Sequence, residues 1–178
     1  MKNVNQIGSV NNDVMDRLVA FITTTTYASL PAEIITLAKQ ATIDTLGVSI
    51  AGWREEAAQT TIAGDGEQAG NASLFAQAKK TSEENAALIN GTATHVLDYD
   101  DASAGVIIHP SAPILAAITP VAERLQSSGQ DVITAYAIGT EVMIRIGEIM
   151  GVQHYRLGWH ATDTLGTIGA AAACAYLE

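Results

Sequence analysis

From Val14 to Leu177 the apolar side chains recur at spacings of three and four, and almost nowhere at a spacing of two. That period places them on one face of a helix, so a chain of this kind must bury helical stripes against one another. Asn12 or Asp13 can cap a first helix in which Val14, Leu18, Phe21 and Ile22 share a face, and the β-branched run from Thr23 to Thr26 ends it. Pro31 suits the first turn of a second, whose stripe Ile34, Leu37, Ala38, Ala41, Thr45 and Val48 runs to Gly52. A short helix over Glu55 to Ala63 comes next, then turn residues around a brief strand at Ser73 to Phe75. Thr81 and Glu84 have capping-box spacing ahead of the stripe Ala86, Ile89, Asn90, Ala93 and Leu97.

Beyond a loop to Pro110, Ile114, Leu115, Ile118, Val121, Ala122 and Leu125 make a helix expected to bend at Pro120 and to end near Ser127 to Gly129. Asp131 opens another, with Ile138, Val142, Met143, Ile146 and Ile149 on one side and Gly151 as its C′ residue. The last spans Ala161 to Leu177 and is rich in Ala and Gly, so a neighbouring backbone can approach it closely. The expected architecture is a single all-α bundle over residues 12–178 behind a loose polar tail at 1–11.

Composition narrows the function. The 178 residues are 48% hydrophobic and 16% charged, enough for one domain with a sizeable core. A formal net charge of -10 opposes binding to nucleic acid or to anionic lipid. No apolar run reaches the ~20 residues of a membrane helix, and Met1 to Asn12 has no signal-peptide h-region, so a cytoplasmic location is expected. Cys174 is the one cysteine, unable to form an internal disulfide and read as buried and inert.

Two clusters can carry chemistry. His95, Asp98, Asp100, Asp101 and His109 fall at the end of a helix and in the loop after it, with His95 and Asp98 at i, i+3. A carboxylate beside an imidazole orients the ring for general acid–base work, although the same carboxylates also suit a cap or a solvated loop. A calcium loop starting at Asp98 would need Gly at position six and Glu at twelve, where Ser103 and His109 stand, and no zinc spacing fits, so no metal is expected. In Gly158-Trp159-His160-Ala161-Thr162, His160 stands at a helix N-terminus, whose free N–H groups and dipole favour an anion. The structural alternative makes Trp159 ordinary core. Arg145 is expected to pair with Glu141, and His154 has no assigned role.

The segments Asn90 to Asp101, His109-Pro110-Ser111 and Gly158 to Thr162 resemble, in order and rough spacing, the signatures of the MmgE/PrpD family, and Leu30-Pro31 with Asp44-Thr45-Leu46-Gly47 is similar to its start. The resemblance covers the chain from about Val14 onward. It implies a cofactor-independent lyase, a dehydratase or decarboxylase, acting on a small di- or tricarboxylate such as 2-methylcitrate or cis-aconitate, or else an epimerase on a dicarboxylate of the iminodisuccinate type. It further implies a homodimer, with Asp98, His109 and His160 as catalytic residues. His95, Asp101 and Thr162, in the same motifs, are the expected substrate-binding positions. The remaining catalytic lysines and tyrosine would come from later segments, and the abrupt stop at Glu178 after an apolar run fits a truncated enzyme. A non-catalytic helical module that needs a C-terminal partner is the rival reading. Ala102 stands where dehydratases and decarboxylases often have Thr, and Asp163 replaces a frequent small residue.

Overall fold

A computed structural model describes residues 13–65 and 69–178, so the expected tail at 1–11 and a cap at Asn12 lie outside the described residues. The order is α1 (Asp13–Thr24), a 3-10 turn (Tyr27–Ser29), α2 (Ala32–Gly52), α3 (Glu56–Asp65), β1 (Ala72–Leu74), β2 (Gln77–Thr81), α4 (Glu83–His95), α5 (Ser111–Leu125), α6 (Gly129–Arg156) and α7 (Ala161–Leu177). The fold is helical, as its periodicity requires, with one small antiparallel hairpin of β1 and β2.

The core lies where α5, α6 and α7 meet. Ile114 and Ile118 of α5, Ile138 and Met143 of α6, and Leu165 of α7 are all buried there. Each large aliphatic side chain contributes about 1.5–3 kcal/mol by leaving water. A glycine pair brings the last two helices together: a Cβ on Gly139 would lie 2.8 Å from the Gly169 carbonyl oxygen, and one on Gly169 would lie 2.7 Å from that of Gly139. Any larger residue at either position forces the α6–α7 backbones apart, and with them the N-terminus of α7, where His160 sits.

Several expectations change in detail. Thr81 ends β2 and does not cap α4; the cap is Ser82, whose hydroxyl accepts from the Asn85 N–H. In place of the capping box expected at Thr81 and Glu84 stands a single cap bond one residue further on. On α2 the inward stripe is small, with Ala38, Thr45, Val48 and Ser49 buried, while Ile34 and Leu37 stay exposed. Helix α5 runs unbroken through Pro120, which is buried inside it. Gly151 does interrupt α6, at φ 61°, a conformation a glycine adopts without a Cβ clash, but a further helical turn follows to Arg156. Trp159 is not core: it is 58% exposed and stacks on the His154 ring.

Candidate active site

Helix α4 delivers His95 in its last turn. Its placement is fixed by Asn90, fully buried, whose side chain accepts from the Phe75 N–H at 2.9 Å and donates to the Ser73 carbonyl at 3.0 Å, tying the helix to the hairpin. The chain then reverses. Asp98 takes a left-handed conformation, φ 53°, which Asp tolerates better than most residues. Ser103 and Ile108 close the following loop with a backbone bond of 2.8 Å, bringing His109 back beside His95.

This reversal alters the pairing expected from i, i+3 spacing. The helix stops before Asp98 can lie under His95, and the carboxylate that meets His95 is Asp100, 2.9 Å from Nδ1. Asp100 is the carboxylate of this loop with no solvent-exposed side-chain area. Its other oxygen stands 3.4 Å from His109 Nδ1, close enough for an ion pair but not aligned as a hydrogen bond, and that nitrogen is buried with no other partner. Asp98 is instead 80% exposed, with Oδ1 3.5 Å from His109 Nε2. The rings of His95 and His109 meet edge to face at 4.9 Å between centroids.

His160 joins from the far end of the sequence. It is the N-cap residue of α7, at φ -77° and ψ 107°, and its ring lies 5.9 Å from that of His95. Its Nδ1 is 3.3 Å from Asp163, so the unexpected acid of this motif faces the histidine. The segment before it is braced by His154, whose Nε2 meets the Thr164 hydroxyl at 2.7 Å while its ring stacks on Trp159. Nothing in the local spacing marks that role for His154, because both partners come from the next turn and the next helix.

Helices α4, α5 and α7, with Ala57 of α3, line an open groove of about 530 Å³ that has His95, Thr162 and Asp163 in its wall among small residues such as Gly91, Ala112 and Gly166. No Lys or Arg lines it. The two other expected substrate-binding residues are held by the scaffold. Thr162 is buried and accepts from the His109 N–H at 3.0 Å, fixing the backbone that carries the second histidine. Asp101 accepts from the Ser111 N–H at 3.1 Å and from its hydroxyl at 2.7 Å, satisfying the start of α5, and Ser111 in turn meets the Tyr136 hydroxyl at 2.7 Å. Asp101 lines a different groove, between α2 and α6. Burial pushes the Asp101 carboxyl above its ordinary range against the opposing pull of the two Ser111 bonds, and burial likewise raises the Tyr136 phenol. Burial also raises the Cys174 thiol, which disfavours the nucleophilic thiolate.

His95, Asp98, Asp100 and His109 can each offer a ligand atom, all within 4.8 Å of one another, a set a divalent ion could bridge. The fold assembles it from residues that fit no linear metal motif, so the expectation of no metal rests on spacing alone. The His95 Nδ1 bond to Asp100 leaves Nε2 as the nitrogen of that ring an ion could take. Arg145 is satisfied away from this region by Glu141 at 2.7 Å and Glu148 at 3.1 Å.

The helical scaffold brings histidines and aspartates of its separate segments together, and comparison with known proteins gives its family. The chain belongs to the MmgE/PrpD family: residues 16–178 match the MmgE/PrpD N-terminal domain. Among curated proteins it is 28% identical to the cis-aconitate decarboxylase-like protein oryM of Aspergillus oryzae over 93% of this chain and 36% of that protein. It is 34% identical to the cis-aconitate decarboxylase of Homo sapiens and 33% identical to that of Mus musculus, in each case over 49% of this chain and 19% of the relative. The chain thus spans about a third of the length of the fungal relative, and less of the mammalian ones, in the matched regions. Among the described residues, no helix is long and apolar enough to cross a membrane.

Proposed function

We propose that this chain carries the histidine half of the active site of a cofactor-independent lyase acting on a small di- or tricarboxylate such as cis-aconitate or 2-methylcitrate. The observation that supports this most is the convergence of His95, His109, Asp98 and Asp100 with His160 from a distant segment, with His95 in the wall of the groove. Loss of carbon dioxide or water next to a carboxylate needs a group that takes or gives a proton at carbon and another that supports it. In this reading His109 or His160 exchanges that proton, and Asp98, exposed and 3.5 Å from His109 Nε2, orients the His109 ring once that nitrogen has taken the proton. The N-terminus of α7 offers its free N–H groups to a substrate carboxylate. The cations needed to balance a polycarboxylate come from elsewhere, since the groove has none. The enzyme is read as a cytoplasmic homodimer.

Product analysis with the full-length protein tests the reading. Incubation with cis-aconitate, 2-methylcitrate and iminodisuccinate should give loss of carbon dioxide or water from one of the first two. Ala102, in place of the Thr frequent in such lyases, favours a second reading as an epimerase. Unchanged connectivity with inverted configuration would establish the epimerase, and no conversion of any acid would refute both.

A further inference from the structure

We propose that Asp100 is the positioning residue of this site, holding His95 and His109 together in the tautomer that carries its proton on Nδ1 and so presenting both Nε2 atoms for chemistry. The inference deepens the acid–base reading and depends on it only for its catalytic consequence.

The geometry leaves little choice. A carboxylate can only accept, so the 2.9 Å contact from Asp100 to His95 requires the proton on Nδ1 of that ring. His109 Nδ1 is buried, has no hydrogen-bond partner and faces the same carboxylate at 3.4 Å. A bare lone pair on this buried nitrogen would point at a negative charge, whereas an N–H would be attracted to it. One buried anion therefore sets both rings, and the nitrogen left to His109 is the one that faces Asp98 at 3.5 Å. For His95 the remaining Nε2 is the nitrogen available to the groove that the residue lines. Exposure separates the two acids: Asp100 has no exposed side-chain area and cannot exchange with solvent, while Asp98 is open to it. The orienting partner of an imidazole is what fixes its tautomer and direction.

Nitrogen NMR of the ring atoms in the full chain, recorded at a pH where the histidines are neutral, reads this directly. The expected result is a pyrrole-type signal on Nδ1 and a pyridine-type signal on Nε2 for both His95 and His109. In Asp100→Ala both rings should shift toward the Nε2–H form, while His154, whose partners are Thr164 and Trp159, keeps its wild-type signals and reports an intact fold. A pyridine-type Nδ1 in either wild-type ring, or an unchanged tautomer in the folded variant, would overturn the proposal. Should Asp100→Ala not fold, the wild-type spectrum alone still decides. In Asp100→Asn, which keeps the shape, turnover should fall on the order of 10²-fold with KM little changed. Absence of turnover in the wild type would count against the lyase reading and leave the tautomer result standing.

Discussion

Asp100 and Asp101 are adjacent in the chain, yet one carboxylate serves the imidazoles and the other the start of α5. Asp100 meets His95 and His109, whose remaining nitrogens are open to change partners. Asp101 is locked by two bonds from Ser111, with Tyr136 behind them, and lines a separate groove. The contrast teaches that acidity concentrated in a motif does not imply a shared task. One acid organises two imidazoles, and the next closes a helix end whose free N–H would otherwise be buried unpaired.

Exchanging the two regions' weaknesses should therefore give opposite phenotypes. The largest effect is expected from His109→Gln, which should lower turnover of the full-length enzyme by about 10²–10⁴-fold with the melting temperature nearly unchanged, as read by steady-state kinetics and thermal unfolding. Asp101→Ala should do the reverse. It strands the Ser111 N–H and leaves the Ser111 hydroxyl only its Tyr136 partner, and should cost about 1–3 kcal/mol in denaturant unfolding. By contrast Asp98→Asn, at an exposed position, should stay within about 0.5 kcal/mol of wild type in the same assay.

A smaller effect concerns pH. Because burial raises the folded-state pKa of Asp101 above its ordinary 3.8, the native state holds this proton longer than the unfolded chain, and stability from this group declines as pH rises through that window. The stability difference between wild type and Asp101→Asn should accordingly fall with rising pH just above 3.8 and level off once the folded carboxyl is ionised. The smallest effect is expected from chelation. Turnover should be unchanged after treatment with a strong chelator, and a loss restored by a divalent ion would transfer His95, Asp98, Asp100 and His109 from acid–base duty to metal ligation.

Much of the scaffold is legible in the sequence because its signals are local. The helical periods of Ile114 to Leu125 and Ile138 to Met143, the glycine at 151 and the small-residue face of α7 each constrain their own segment. Register at the ends is less legible, as Thr81 shows, since the pairing that draws it into β2 comes from Ala72, nine positions away. The motif residues also meet in space, with the rings of His109 and His160 both against that of His95. What spacing could not give is the division of labour among the acids. It depends on the positive φ of Asp98, which ends the helical geometry that would have paired Asp98 with His95, and on the return of Ser111 toward Asp101 across the loop. The His154 brace is hidden for the same reason, because stacking on Trp159 requires the positive-φ turn at Gly158 between them.

The chain has four histidines, and the account divides them three to one. Titrating the full-length protein with cis-aconitate while following the four imidazole resonances tests that division most directly. His95, His109 and His160 should shift together along one saturable curve, with His154 unmoved. Shifts confined to His154, or three rings that respond with unrelated affinities or not at all, would show that no common site exists on this face of the bundle.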